Sequence, residues 1–314
     1  MTRLIDLPSS ALPGLRGEDL VRAIADSEGR AVAAETIVAT GPLLDKVSNP
    51  ELAAAAGADI VVLNLYDVDR PCVAGMPDAQ GQQEEAEDAD AFAFGSVGLG
   101  RGVTAGQVSQ WTGRVTAVNL EPVDPQATFP QGRRATVRAA QMLVEQGGQI
   151  AVITGNPGTG VTIEAIIEAT RQIRAATDGE LVLLAGRMHA AGSGEPVMTA
   201  DDVARLADAG AHGVVLPAPG TTPGTSVSAS EAWVAAAHAR GMLAWNSIGT
   251  SQEGASTSVI ERLGLDSKTT GADIHHIGDS GFFGIAPPEN IYAYSLAVRG
   301  RRHTWHRIAA SRMR

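Results

Sequence analysis

Eight short apolar runs, each closed by a polar or glycine-rich turn and followed by a helical pattern, set the strongest limit on how this 314-residue chain can fold. They begin at Arg30 (RAVAAET), Ala58 (ADIVVLNL), Arg114 (RVTAVNLE) and Gln149 (QIAVITG), then at Glu180 (ELVLLAG), Ala211 (AHGVVLP), Met242 (MLAWNSIG) and Ala272 (ADIHHIG). Runs of about four to eight apolar residues alternating with helices mark parallel strands covered on both faces. Eight such units predict an α/β fold, a single (β/α)8 TIM barrel over residues 1–314 with an extra helix before the first strand. An open doubly wound sheet is the rival arrangement. Between the runs, Ser228 and Glu231 read as a capping box, and Pro50 suits a first helical turn. Gly57, Gly210 and Gly241 stand where helices stop.

Bulk properties narrow the partners. A net charge of −11 argues against nucleic acid, whose phosphates need a basic surface. No apolar run reaches the roughly 18–20 residues of a membrane span, and the first residues carry no secretory signal. Cys72 is the only cysteine, so no disulfide framework exists. A cytoplasmic protein is the expectation. The segment 71–103, with EEAEDAD at 84–90, predicts a lid-like insertion after the second strand. The tail 299–314 holds six arginines and no acid, which suits a helix end or a contact between copies in a homo-oligomer.

The stretch Gly155–Thr162 has Walker A spacing, but Val161 stands where the phosphate-binding lysine would be. In a barrel this stretch becomes the loop after strand four, at the C-terminal face where barrel sites form. Class I aldolase chemistry has little support. Lys46 follows the first strand, and Lys268 precedes the eighth and so belongs at the opposite end. Asp67 and Asp69 with GDSGFFG from Gly278 partly match haloacid-dehalogenase phosphatase motifs, yet Pro71 and Phe283 break both patterns.

Acid–base groups are plentiful at the expected mouth. Glu35, Glu121, His189, His276 and Asp279 are the catalytic candidates. Glu35, flanked by alanines, is expected to be buried with a raised pKa suited to proton transfer. His275 and His276 must face opposite ways, and His276 is the one expected inside. Asn64 and Asn119 hold equivalent places in LNLYDVD and VNLEPVD; with Asn156 and Arg187 they are candidates to orient substrate oxygens. Gly249, Thr250, Ser251, Gly278 and Gly281, in the turns after strands seven and eight, are expected to bind phosphate. Glu35, Glu121, His189 and Asp279 could also gather a divalent metal, the one cofactor the residues suggest.

Taken together, GADIVVLNL, VNLEP, TGNPGTGV, AGRMHAAG, LPAPGTTPG, IGTSQEG, HHIGDSGFFGIAPPENI and RGRRHTWHR carry a family likeness. From about residue 30 onward the chain resembles a bacterial TIM-barrel family. Its members are often labelled haloacid-dehalogenase-like hydrolases or likened to phosphoenolpyruvate mutases. The resemblance implies the barrel and no particular reaction. The residues predict an isomerase or lyase that transfers protons on a small phosphorylated sugar-like or oxo-acid metabolite. Metal-assisted hydrolysis and a ligand-sensing barrel without catalysis are the alternatives.

Overall fold

The computed structural model describes residues 2–79, 98–155, 159–189, 197–281 and 283–313. Its strands are β1 (Ala31–Ile37), β2 (Ile60–Asn64), β3 (Val115–Leu120), β4 (Ile150–Ile153), β5 (Val182–Gly186), β6 (Gly213–Pro217), β7 (Leu243–Ile248) and β8 (Ile274–Ile277). Each runs parallel to the next, and β8 returns to β1 to close the barrel. Helix α1 (Gly17–Ala25) precedes β1, as the expected extra helix does. The strands are then followed in turn by α2 (Asn49–Ala55), α3 (Ala105–Thr112), α4 (Val137–Glu145), α5 (Ile163–Ala176), α6 (Ala200–Asp208), α7 (Val227–His238), α8 (Thr257–Thr269) and α9 (Pro288–Ala309). The eight apolar runs are the eight strands. No helix among the described residues is long and apolar enough to cross a membrane.

Alternation along each strand divides the core in two. Inward residues such as Ala33, Val62, Ala117, Val152, Leu184, Val215 and Trp245 fill the barrel, while Val61, Val118, Ala151 and Leu183 pack under the helices. Leu4, Leu12, Leu20 and Ile24, from the N-terminal turns and α1, join the inner cluster and are fully buried. Each such burial contributes roughly 1.5–3 kcal/mol.

A four-fold device organises the end where the strands begin. The residue before each even-numbered strand turns its side chain onto the backbone N–H of the second residue of the strand before it. Asp59 accepts from Val32, Gln149 from Thr116, His212 from Leu183 and Asp273 from Ala244, at 2.8–3.0 Å. Each acceptor therefore satisfies a buried donor and fixes the register of a strand pair. Accepting at Nδ1 leaves the His212 proton on Nε2, which faces Glu18 at 3.8 Å.

Asp59 does more than its three counterparts. It is fully buried and binds Arg299 at 2.5 Å and Arg307 at 2.7 Å, both without side-chain exposure. Arg307 also donates to the carbonyls of Leu4 and Leu7, and Arg114 donates to those of Ala58 and Arg307. Burial, then the neighbouring Arg307, pushes Arg114 down to about 9. Burial alone would raise the Asp59 carboxyl, but the arginines outweigh it and hold it below the ordinary range. Gly300, with φ of 72°, breaks α9 between Arg299 and Arg307 and lets both reach one carboxylate. So these two arginines of the basic tail serve the fold from within, where the sequence suggested a helix end or a contact between copies.

Two smaller readings also change. Ser226, not Ser228, caps α7, accepting from the N–H of Ala229. Capping boxes form instead on α2, between Ser48 and Glu51, on α3, between Thr104 and Gln107, and on α6, between Thr199 and Asp202. The ends of the expected lid are knit together by the Cys72–Arg101 bridge and the Gly75–Gly98 hydrogen bond, whereas 80–97 lie outside the described residues.

Candidate active site

The ends of the inward strand faces turn polar at the C-terminal mouth. There Glu35, Asn64, Asn119, Glu121, Thr154, Gly155, Met188, His189, Gly249, Glu253, Gly278 and Asp279 line a cavity of about 230 Å³. These residues come from every strand or following loop except that of β6. The expected site residues Glu35, Glu121, His189, Asp279, Asn64 and Asn119 are thus brought together. Arg187 is buried and does not belong to that lining, which Met188 and His189 supply instead. Asn156 lies outside the described residues.

A polar chain crosses four neighbouring strands. Asn119 donates to Asn64 at 3.3 Å, Asn64 donates to Glu35 at 2.6 Å, and Glu35 lies 3.3 Å from His276 Nε2. His276 points into the barrel, its ring centroid 5.2 Å from that of Trp245. His275 faces outward and contacts Ser267 and the Gly29 carbonyl. His276 is 1% exposed, and neither ring nitrogen has a hydrogen bond of good geometry among the described residues. Burial would raise the Glu35 carboxyl, but His276 and then Asn64 outweigh it and hold it below the ordinary range. That reverses the raised pKa expected for Glu35. The expectation counted the alanine neighbours and could not see a histidine seven strands later in the chain, brought alongside by the β1–β8 seam.

The raised carboxyl is Glu253. It sits on a short turn, Gln252–Gly254, after β7 and is 2% exposed. Asn290 at the start of α9 pins that turn by donating to the carbonyls of Glu253 and Ala255 at 2.7 and 2.8 Å. Burial, and then the charges of Glu35 and Asp279, push Glu253 up to about 7, although backbone N–H groups of Glu253 and Ser251 oppose this. Its Oε2 has no hydrogen-bond partner among the described residues. Asp279 is also pushed up, by burial and then by Glu35. Burial pushes His189 down, against the pull of Glu35. Glu121 is held by Arg133 at 3.6 Å. Sequence reasoning gave Glu253 no role, because IGTSQEG was read for its glycines and hydroxyls.

The expected phosphate cradle takes a different form. The Thr250 hydroxyl donates to the Thr221 carbonyl at 2.6 Å. Ser251 is exposed in a left-handed turn, with φ of 74°. A Cβ at Gly278 would lie 2.3 Å from Glu253 Oε1, so this glycine makes room for a carboxylate. Gly281 also has positive φ, which suits a tight turn, and Gly249 lines the cavity. Carboxylates here repel phosphate. Among the described residues no three of His, Cys, Asp and Glu lie together as a ready-made metal site.

The remaining motifs resolve into structure. Val161 is core, and Thr162 caps α5 by accepting from Ala165. Asp67 accepts from the N–H of Asp69, and Asp69 pairs with Arg138 at 2.5 Å; neither aspartate lines the cavity. Lys268 donates to the Val298 carbonyl, far from the lining, and Lys46 is exposed. Cys72 donates to the Leu99 carbonyl, and burial pushes its thiol up.

No curated protein matches the chain. Among solved structures, QR15, an aldolase, aligns with a TM-score of 0.43 at 16% identity over 82% of this chain and 93% of its own. The BexX/CysO complex of Amycolatopsis orientalis gives 0.47 at 14% over 90% and 93%. An archaeal fructose-1,6-bisphosphate aldolase, caught with its catalytic lysine bound to a carbinolamine intermediate, gives 0.49 at 14% over 87% and 95%. At this distance the likenesses carry no argument about activity, and the barrel rests on its own strand order. A family model described as a domain of unknown function, DUF7916, matches residues 5–314, and the protein belongs to that family.

Proposed function

We propose that the protein is an enzyme of the isomerase or lyase type, moving protons on a small polar metabolite held in the mouth cavity. The observation that carries this reading is a pair of carboxyls in one cavity driven in opposite directions. Glu35 is held below the ordinary range, while Glu253 is pushed up to about 7. Such a split supports reading one as a base and the other as an acid within a single site. Glu35 takes a proton from carbon, with His276 Nε2 at 3.3 Å behind it. Glu253, protonated in a good fraction of molecules near neutrality, delivers a proton at the neighbouring carbon while a hydroxyl proton of the substrate passes from one oxygen to the other. Substrate and product then contain the same atoms. In the lyase form the Glu253 proton goes to the departing group instead. Asn64, Asn119 and Thr154 offer amides and a hydroxyl to the substrate's oxygens.

The test is exchange in heavy water. A metabolite panel is incubated with the protein in D2O, and deuterium entering a C–H bond is read by mass spectrometry. We expect at least one small polar compound to exchange, with Glu35→Gln and Glu253→Gln each slowing it by about 10²–10⁴-fold. Exchange that proceeds unchanged in both variants would remove the two carboxyls from the chemistry.

A further inference from the structure

We infer that the substrate is a small primary amine, bound in the mouth cavity as its ammonium ion. This deepens the proton-transfer reading and rests on it for the site. The first ground is charge. Four carboxyls line the cavity, Glu35, Glu121, Glu253 and Asp279, and no lysine or arginine does so among the described lining residues. Only Glu121 has an arginine at hand, Arg133 at 3.6 Å. Glu35 has His276, which also acts weakly on Asp279, and no lysine or arginine pairs with Asp279 or Glu253 among the described residues.

The second ground is the kind of atom left short of a partner. Glu253 Oε2 and Asn119 Oδ1, both buried on the cavity lining, have no hydrogen-bond partner among the described residues. Glu253 itself is 2% exposed. Both atoms accept hydrogen bonds, and a carboxyl keeps acceptor capacity even when protonated. An ammonium group supplies three donors and no acceptor. A phosphate ester would bring more acceptors and more negative charge to the same place. A metal ion would need ligands drawn together, and among the described residues no such set exists. An organic cation suits carboxyls spread around a small cavity. Asp279, raised by burial and by the charge of Glu35, is the group an ammonium neutralises with most effect.

The test uses three compounds with one carbon skeleton: 3-amino-1,2-propanediol, glycerol and glycerol 3-phosphate. Each is titrated into the full-length protein at neutral pH and fixed ionic strength while the melting temperature is read. Magnesium chloride alone forms a fourth arm. We expect the amine to raise the melting temperature by about 2 °C or more at saturation, with little change from the others. The rise should be lost in Asp279→Asn and reduced in Glu121→Gln, two variants at different strand ends whose own melts report whether each folds. A larger rise with the phosphate ester or magnesium, an equal rise with glycerol, or no rise with the amine overturns the proposal. So does an amine response that survives in both variants. The heavy-water panel separates the two readings. Exchange confined to compounds without nitrogen sinks the ammonium site and spares proton transfer. Amine binding with no exchanging compound does the reverse.

Discussion

The two ends of this barrel are built from the same strands and treat polar groups in opposite ways. Where the strands begin, Asp59, Gln149, His212 and Asp273 each satisfy a backbone N–H in a four-fold pattern, and of their own buried side-chain atoms only His212 Nε2 lacks a hydrogen-bond partner among the described residues. Asp59, the fully buried carboxylate among them, has two arginines. Where the strands end, carboxyls crowd one cavity, Glu253 and Asn119 keep acceptors unpartnered, and His276 has no aligned hydrogen bond. A satisfied buried network fixes a fold, and an unsatisfied one is tolerated where a ligand is to bind. The contrast separates the end that holds the chain together from the end left open to a ligand.

The largest break of that contrast lies at Asp59. Asp59→Asn keeps an acceptor for the Val32 N–H but removes the charge facing Arg299 and Arg307. Breaking a buried ion pair from one side costs about 3–5 kcal/mol, read from equilibrium unfolding in urea. A loss under about 1 kcal/mol would mean that the carbonyls of Leu4, Leu7 and Gly57 suffice for the two guanidinium groups.

Glu253→Gln should do the opposite. A carboxyl raised to about 7 from an ordinary 4.5 binds protons more tightly folded than unfolded. Wild-type stability therefore falls as pH rises between those values and is level above them. The amide carries no such penalty. The variant should gain up to about 3 kcal/mol relative to wild type above pH 7 or so, and nothing near pH 4. Melting temperatures of both proteins across that pH range decide it; a difference that does not change with pH would place Glu253 in an ordinary solvated state. Activity lost together with stability gained would mark the residue as functional.

The barrel was legible because its signal is local: strand runs, helix stops and eight repeats all lie within short windows. So were the strand-end groups Glu35, Asn64, Asn119 and Glu121. Their protonation was not. Glu35 is set by His276, 241 residues later and adjacent only because β8 closes on β1. Glu253 is set by burial under a turn that Asn290 holds, which no spacing reveals. The lower-end device left a trace that went unread: Gly-Ala-Asp-Ile occurs at both 57–60 and 271–274, each time before an even-numbered strand. The tail arginines misled because charge in a terminal segment usually faces water, and here a break at Gly300 turns two of them inward.

Gly278 offers a smaller probe of the upper end. In Gly278→Ala the new Cβ would meet Glu253 Oε1 at 2.3 Å and the Ile248 carbonyl oxygen at 2.9 Å. Crowding of this kind costs about 1–3 kcal/mol, and the displaced carboxyl should lose part of its raised pKa. Flattening of the pH dependence attributed to Glu253 is the signature to seek, since a glycine needed only for its turn would destabilise at every pH alike.

The smallest effect belongs to the lower end, at a half-exposed partner of one device member. His238 donates to Asp273 at 2.9 Å, and that hydrogen bond raises the imidazole above its ordinary pKa of 6.5, against a lesser effect of burial. A raised folded pKa contributes stability that is complete below 6.5 and disappears as pH climbs through the folded value. The side chain is 43% exposed, so screening by water keeps the contribution under about 1 kcal/mol. His238→Gln should therefore destabilise slightly at pH 5.5 and hardly at all at pH 8.5. Asp273 keeps its bond from the Ala244 N–H in either case, so the β7–β8 register survives. A large loss at high pH would mean that the histidine, rather than the backbone acceptor beside it, holds that quarter of the barrel. The four-fold device would then owe its strength to its side-chain partners, and the two ends would differ less than their hydrogen bonds imply.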